Sequence, residues 1–121
     1  MTQPDTCPAS PPLSKARRAG SLLFLSGQMP RNAAGDIVTG DIEIQTRHVL
    51  DNLQAALAAN GASFAQVVKV TAWLTDARHF NGFNRVYREY FSEPYPARST
   101  VVSQLVAPGA DVEIEVTAFL D

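Results

Sequence analysis

The sequence predicts an α+β two-layer sandwich, a mixed sheet with two helices on one face. Three observations carry that reading. Two stretches repeat their apolar residues at the helical period of about 3.6, and five apolar or β-branched runs read as strands. Their order along the chain is β-β-α-β-α-β-β. Two helices are enough to cover one side of one sheet. The 121 residues fit a single domain, here placed at 13–121, with length enough to bury a core without staples.

Residues 1–12 hold four of the eight prolines and the lone cysteine, Cys7, and read as a flexible leader. The leader has no apolar signal-peptide core, and the chain has no apolar run long enough to span a membrane. A cytoplasmic protein is expected, with no disulfide. Lys15, Arg17 and Arg18 form a small basic cluster that reads as a solvated turn. The run SLLFLSG, 21–27, closes on a glycine and reads as a buried strand. Gly35, Asp36 and Gly40 flank Ile37 and Val38, a pattern for a hairpin or short partner strand.

The stretch 41–60 is the clearest helix. Ile42, Thr46, Val49, Leu50, Leu53 and Leu57 share one face. Asp41 stands at the N-cap and Gly61 where a helix is left behind. Glu43, Arg47, Asp51 and Gln54 take the wet face, with Arg47 and Asp51 spaced to pair. VVKVTAWLT, 67–75, is a strand with Val68, Val70, Ala72 and Leu74 on one face and Val67, Lys69, Thr71 and Trp73 on the other. A second helix follows Asp76, with Phe80, Phe83, Tyr87, Tyr90 and Phe91 along one side. Asn84 flanks that aromatic stripe, and its amide needs a partner. ARSTVVSQL and DVEIEVTAFL close the chain as strands.

Net charge is −2, so the basic footprint of a nucleic-acid binder is missing. His48 and His79 lie far apart with no ligand spacing around them, and no phosphate-cradling glycine loop or nucleophile elbow is present. No metal and no cofactor are expected.

The last strand raises a problem. Val112, Ile114, Val116, Ala118 and Leu120 alternate with Glu113, Glu115, Thr117 and Phe119. The second set faces away from the helices and is too apolar to be simply wet. Assembly through the open face of the sheet is the expected solution, and the clefts between subunits would then hold carboxylates and Arg98. A guanidinium at a strand mouth needs an anion. A glutamate of the last strand, a phosphate or a ligand carboxylate could each supply it.

FLSGQMP, VLDNLQAALAANGASFAQVVKVTAWLTD, FNRVYREYF, YPARST and VEIEVTAFL together resemble the RidA family, also known as YjgF or reactive-intermediate deaminases, over about residues 13–120. The resemblance implies a chorismate-mutase-like fold assembled as a homotrimeric barrel, with ligand sites between subunits. It implies cofactor-free hydrolysis of enamines and imines such as 2-aminoacrylate to 2-oxo acids and ammonia. By the same resemblance Arg98 grips the substrate carboxylate and Glu113 holds or activates the water, with Glu115 structural. Ser26, Gly27 and Asn84 would line the pocket. Thr100 stands where deaminases commonly have cysteine, and Leu13 where they have a pocket tyrosine. Leu13 makes that wall apolar, which leaves room for a larger imine of the aminomuconate type. A metabolite-binding protein without catalysis and a single-strand endoribonuclease are the other readings, the latter opposed by the acidic charge.

Overall fold

The computed structural model describes residues 10–121. The proposed leader, with Cys7, therefore lies outside the described residues except for 10–12, which are exposed. Five strands form one mixed sheet: β1 (Ala16–Ala19), β2 (Leu22–Gln28), β3 (Val67–Leu74), β4 (Ala97–Val102) and β5 (Val112–Phe119). Their spatial order is β1-β2-β5-β3-β4, antiparallel throughout except for the parallel pair β3–β4. Two helices, α1 (Ile42–Ala59) and α2 (Phe80–Tyr90), pack against one another and cover one face. The predicted element order and layering hold.

Helix α1 forms where its caps and period place it. The Asp41 carboxylate accepts from the Ile44 amide at 2.9 Å. Gly61, at φ +76, lets the chain turn away from the helix end. Thr46, Val49, Leu50, Leu53 and Leu57 are buried. Each buried leucine stabilises by about 1.5–3 kcal/mol relative to leaving it wet. They meet Leu23, Leu25, Val70, Ala72, Val112, Ile114, Val116 and Ala118 from the sheet. Gln45 is also buried, and both ends of its amide are bonded. It donates to the Gly109 carbonyl at 2.9 Å and accepts from the Asp111 amide at 2.7 Å.

Four local expectations are corrected. Ile37 and Val38 do not form a strand; Ile37 makes one isolated bridge, to Arg31. The Asn32 side chain accepts from the Ala34 and Asp36 amides, both at 3.0 Å, and coils the segment into a compact loop. The strand preceding β2 is instead β1, and the basic cluster sits at its start and within it. Ala19 pairs with Leu22 across a two-residue turn whose Gly20 takes φ +60. That Gly-Ser turn is the hairpin signal for this pair. Exposed Arg17 and Arg18 on an edge strand discourage pairing with another chain. In β3, the register shifts between Val67 and Lys69, so Val67 is buried and Val68 is exposed. A bulge adds one residue and reverses the facing of everything before it. Finally, Arg47 does not pair with Asp51. It reaches α2 and binds Glu89 with both terminal nitrogens, while Asp51 accepts from the Tyr90 hydroxyl at 2.7 Å. The neighbouring helix offers a bidentate partner that the helix's own surface does not.

The uncovered sheet face keeps the mixed character expected of it. Leu22 lies opposite Phe119, and Trp73 opposite Glu113. Leu22, Phe24, Val101 and Phe119 are all exposed.

Candidate active site

Arg98 is the second residue of β4, an edge strand entered through Pro94, Tyr95 and Pro96. It pairs in register with Val70, and Thr100 pairs with Ala72. Both therefore lie on the helix side of the sheet. Arg98 is only partly buried, and its guanidinium rests against α2. Its central carbon is 4.6 Å from the Tyr87 ring centre, 5.2 Å from Phe83 and 5.8 Å from Phe80. Such cation–π contacts are worth about 0.5–2 kcal/mol each, depending on exposure. They hold the guanidinium against the aromatic stripe.

No glutamate of β5 pairs with Arg98; among the described residues it has no carboxylate within ion-pair distance. What lies beside it is a cavity of about 230 Å³, lined by Asn84, Tyr87, Arg88, Tyr95, Pro96 and Arg98. The volume is below the roughly 300–1,000 Å³ of drug-sized pockets and suits a small metabolite. The Tyr87 hydroxyl is buried beside Arg98. Burial pushes its pKa up, and the charge and hydrogen bonding of Arg98 pull the other way.

The remaining predicted residues gather elsewhere. Ser26 and Gly27 end β2, beside β5. The Ser26 hydroxyl donates to the Ser14 carbonyl at 2.6 Å, and its amide to the Lys15 carbonyl at 3.0 Å. Those bonds bring the Leu13–Lys15 segment alongside, with Leu13 61% exposed. Glu113 lies against Gly27, so a larger residue there would displace its carboxylate. A Cβ there would collide with Glu113 Oε2 and lie 3.1 Å from Cδ. Glu113 is partly buried beside Trp73, and Glu115 follows on the same face opposite Thr71. Burial, and secondarily the Glu115 charge, push the Glu113 pKa above the ordinary glutamate value.

One chain thus divides the predicted set. Arg98, Thr100 and Asn84 belong to the helix side at the β4 edge. Gly27 and Glu113 belong to the open face, across β3. The expectation that Arg98 starts its strand facing the open-sheet cleft is corrected by the β3–β4 register, which aims it at the aromatic stripe. Tyr87 and Arg88 are cavity residues that the sequence reading missed. The signal was there: Asn84 and Arg88 are one helical turn apart and flank Tyr87.

Known proteins of one class share this sheet-and-two-helix unit. The family described as Endoribonuclease L-PSP matches residues 5–120. A RutC family protein of Pyrococcus horikoshii is 45% identical over 109 residues, covering 89% of this chain and 86% of that one. Reactive Intermediate Deaminase A of the Arabidopsis thaliana chloroplast is 40% identical over 110 residues, covering 90% of this chain and 59% of that one. The crystal structure of RidA from an Antarctic Psychrobacter superposes with a TM-score of 0.86 at 33% identity, covering 98% and 97% of the two chains. The chain belongs to the Endoribonuclease L-PSP family, whose members also carry the names RidA, YjgF and RutC. Among the described residues, no helix is long and apolar enough to cross a membrane.

Proposed function

We propose that the protein hydrolyses reactive enamines and imines of the 2-aminoacrylate type to 2-oxo acids and ammonia. One observation carries this reading: a guanidinium without a protein carboxylate, held against three rings at the wall of a small cavity. That is a clamp for a ligand carboxylate, gripped by two parallel hydrogen bonds. The relative named Reactive Intermediate Deaminase A supports the same chemistry.

The reaction asks little beyond placement. The enamine tautomerises to the imine by gaining a proton at carbon and losing one from nitrogen. A water oxygen adds to the imine carbon; its proton passes to a carboxylate, for which Glu113 is the candidate, and the nitrogen takes one up, giving the carbinolamine. The C–N bond then breaks as the carbinolamine hydroxyl gives up its proton and becomes the 2-oxo carbonyl, and the nitrogen takes up a proton and leaves as ammonia. Fixing the carboxylate converts an encounter into an oriented attack and can contribute several kcal/mol. A general base contributes about 10²–10⁴-fold. Since the sheet separates Arg98 from Glu113 within one chain, a second subunit must bring them to one ligand. A homotrimer with its sites between subunits meets that need and covers Leu22, Phe24 and Phe119.

Freshly generated 2-aminoacrylate supplies the test. Ammonia and semicarbazide-trapped 2-oxo acid should appear faster than the spontaneous rate, in proportion to protein. A spontaneous rate with 2-oxo acid still bound would leave a metabolite-binding protein instead. Single-stranded RNA, included because of the family's description, should stay intact; the net charge of −2 offers no phosphate track.

The pH profile tests Glu113. A base must be ionised, and Glu113 has a raised pKa, so the acid limb of kcat/KM should lie above the usual glutamate value. The same shift disfavours the fold as pH rises. The stability that a protonated Glu113 contributes is complete below its unfolded pKa and lost as pH climbs through the folded one. Glu115→Gln removes the second cause and should move the limb towards lower pH, leaving the larger part set by burial. A limb unmoved by both Glu113→Gln and Glu115→Gln would exclude the pair as base.

A further inference from the structure

Arg88 lies on the exposed side of α2, one residue after buried Tyr87, and lines the same cavity as Arg98. Other arginines of α1, α2 and the turn before α2 are engaged: Arg47 with Glu89, Arg85 with Glu43, Arg78 with Asp76. Glu89, next in sequence to Arg88, is taken by Arg47. Among the described residues, neither Arg88 nor Arg98 has an acidic partner within ion-pair distance. Two unpartnered guanidiniums therefore share one small cavity in a protein of net charge −2. An anion entering the cavity meets both of them.

A single carboxylate neutralises one of them. We propose that the cavity selects dianionic 2-oxo and 2-imino acids, with Arg98 on the α-carboxylate and Arg88 on a second, distal one. This rests on the reading of Arg98 as a carboxylate clamp. Tyr87 lines the same wall. Asn84, one turn before Arg88, adds an amide on the same wall. Tyr95 and Pro96 close the space around the chain that joins the two ends of the ligand.

The test reads binding without turnover, so it does not depend on deamination. The dissociation constants of 2-oxoglutarate and 2-oxobutyrate are measured by calorimetry on the wild-type chain and on Arg88→Gln, whose folding is checked by thermal melting. The wild type should bind 2-oxoglutarate on the order of 10-fold tighter, as one added charge-assisted contact implies. In Arg88→Gln the ratio should collapse towards one. Equal affinities in the wild type, or a preference that survives Arg88→Gln, would overturn the proposal while leaving the Arg98 clamp in place. Failure of both acids to bind would remove the clamp and the proposal with it. Loss of deamination with the affinity ratio intact would sink only the catalytic reading.

Discussion

Arg98→Ala should abolish the proposed enamine turnover and weaken 2-oxo acid binding by on the order of 10²-fold or more, with little change in fold or assembly. The direction follows from what the side chain touches. It makes no ion pair in the protein, so its removal orphans no buried carboxylate. The loss of its stacking on Tyr87, Phe83 and Phe80 costs about 1–2 kcal/mol, and the β3–β4 ladder remains in register. Arg98→Lys should recover only part of the affinity, because an ammonium cannot present two parallel donors. Turnover by trapped 2-oxo acid, binding by calorimetry and size by sedimentation are the readouts. Normal deamination by the alanine variant would sink the functional assignment.

Gly27→Ala acts at the other cluster and should lower kcat by about 10²–10⁴-fold, the range lost with a general base. The added methyl occupies the space of the Glu113 carboxylate. The carboxylate is the far end of a flexible side chain, so it swings aside and the fold tolerates the change. Thermal melting should therefore move little while the rate falls. Glu113→Gln combined with Gly27→Ala should cost no more than the larger single change, since both remove the same group. Additive losses would mean that Gly27 acts on the ligand directly and not through Glu113.

The parts of this molecule that were legible in sequence are those whose cause is local. Asp41, the apolar period and Gly61 define α1 within its own residues. The alternation of Val112 to Leu120 places the core face of β5 without knowledge of its neighbours. Gln45 reads as a polar residue on a helix, because its partners lie 64 and 66 residues away. The same limit governs the site. YPARST marks Arg98 as the first charged group of a strand, yet the face it takes depends on the register of a parallel pair across β3. Tyr87 reads as core, since an aromatic stripe looks alike whether it seals an interior or floors a cavity. Only the approach of Tyr95, Pro96 and Arg98 from another element distinguishes the two.

The Gln45 side chain has a consequence for how the molecule opens. Its carboxamide is a clasp between α1 and the loop that leads into β5. The Asp111 backbone carbonyl accepts from the Thr75 amide at 3.1 Å, and its carboxylate from the Thr75 hydroxyl at 2.7 Å. That one residue joins a helix, the end of β3 and the start of β5. Its amide hydrogen can exchange with solvent only when α1 lifts from the loop, even if the sheet stays whole. Asp111 is thus a built-in reporter of helix undocking, separate from the unzipping of strands that its neighbours in β5 record.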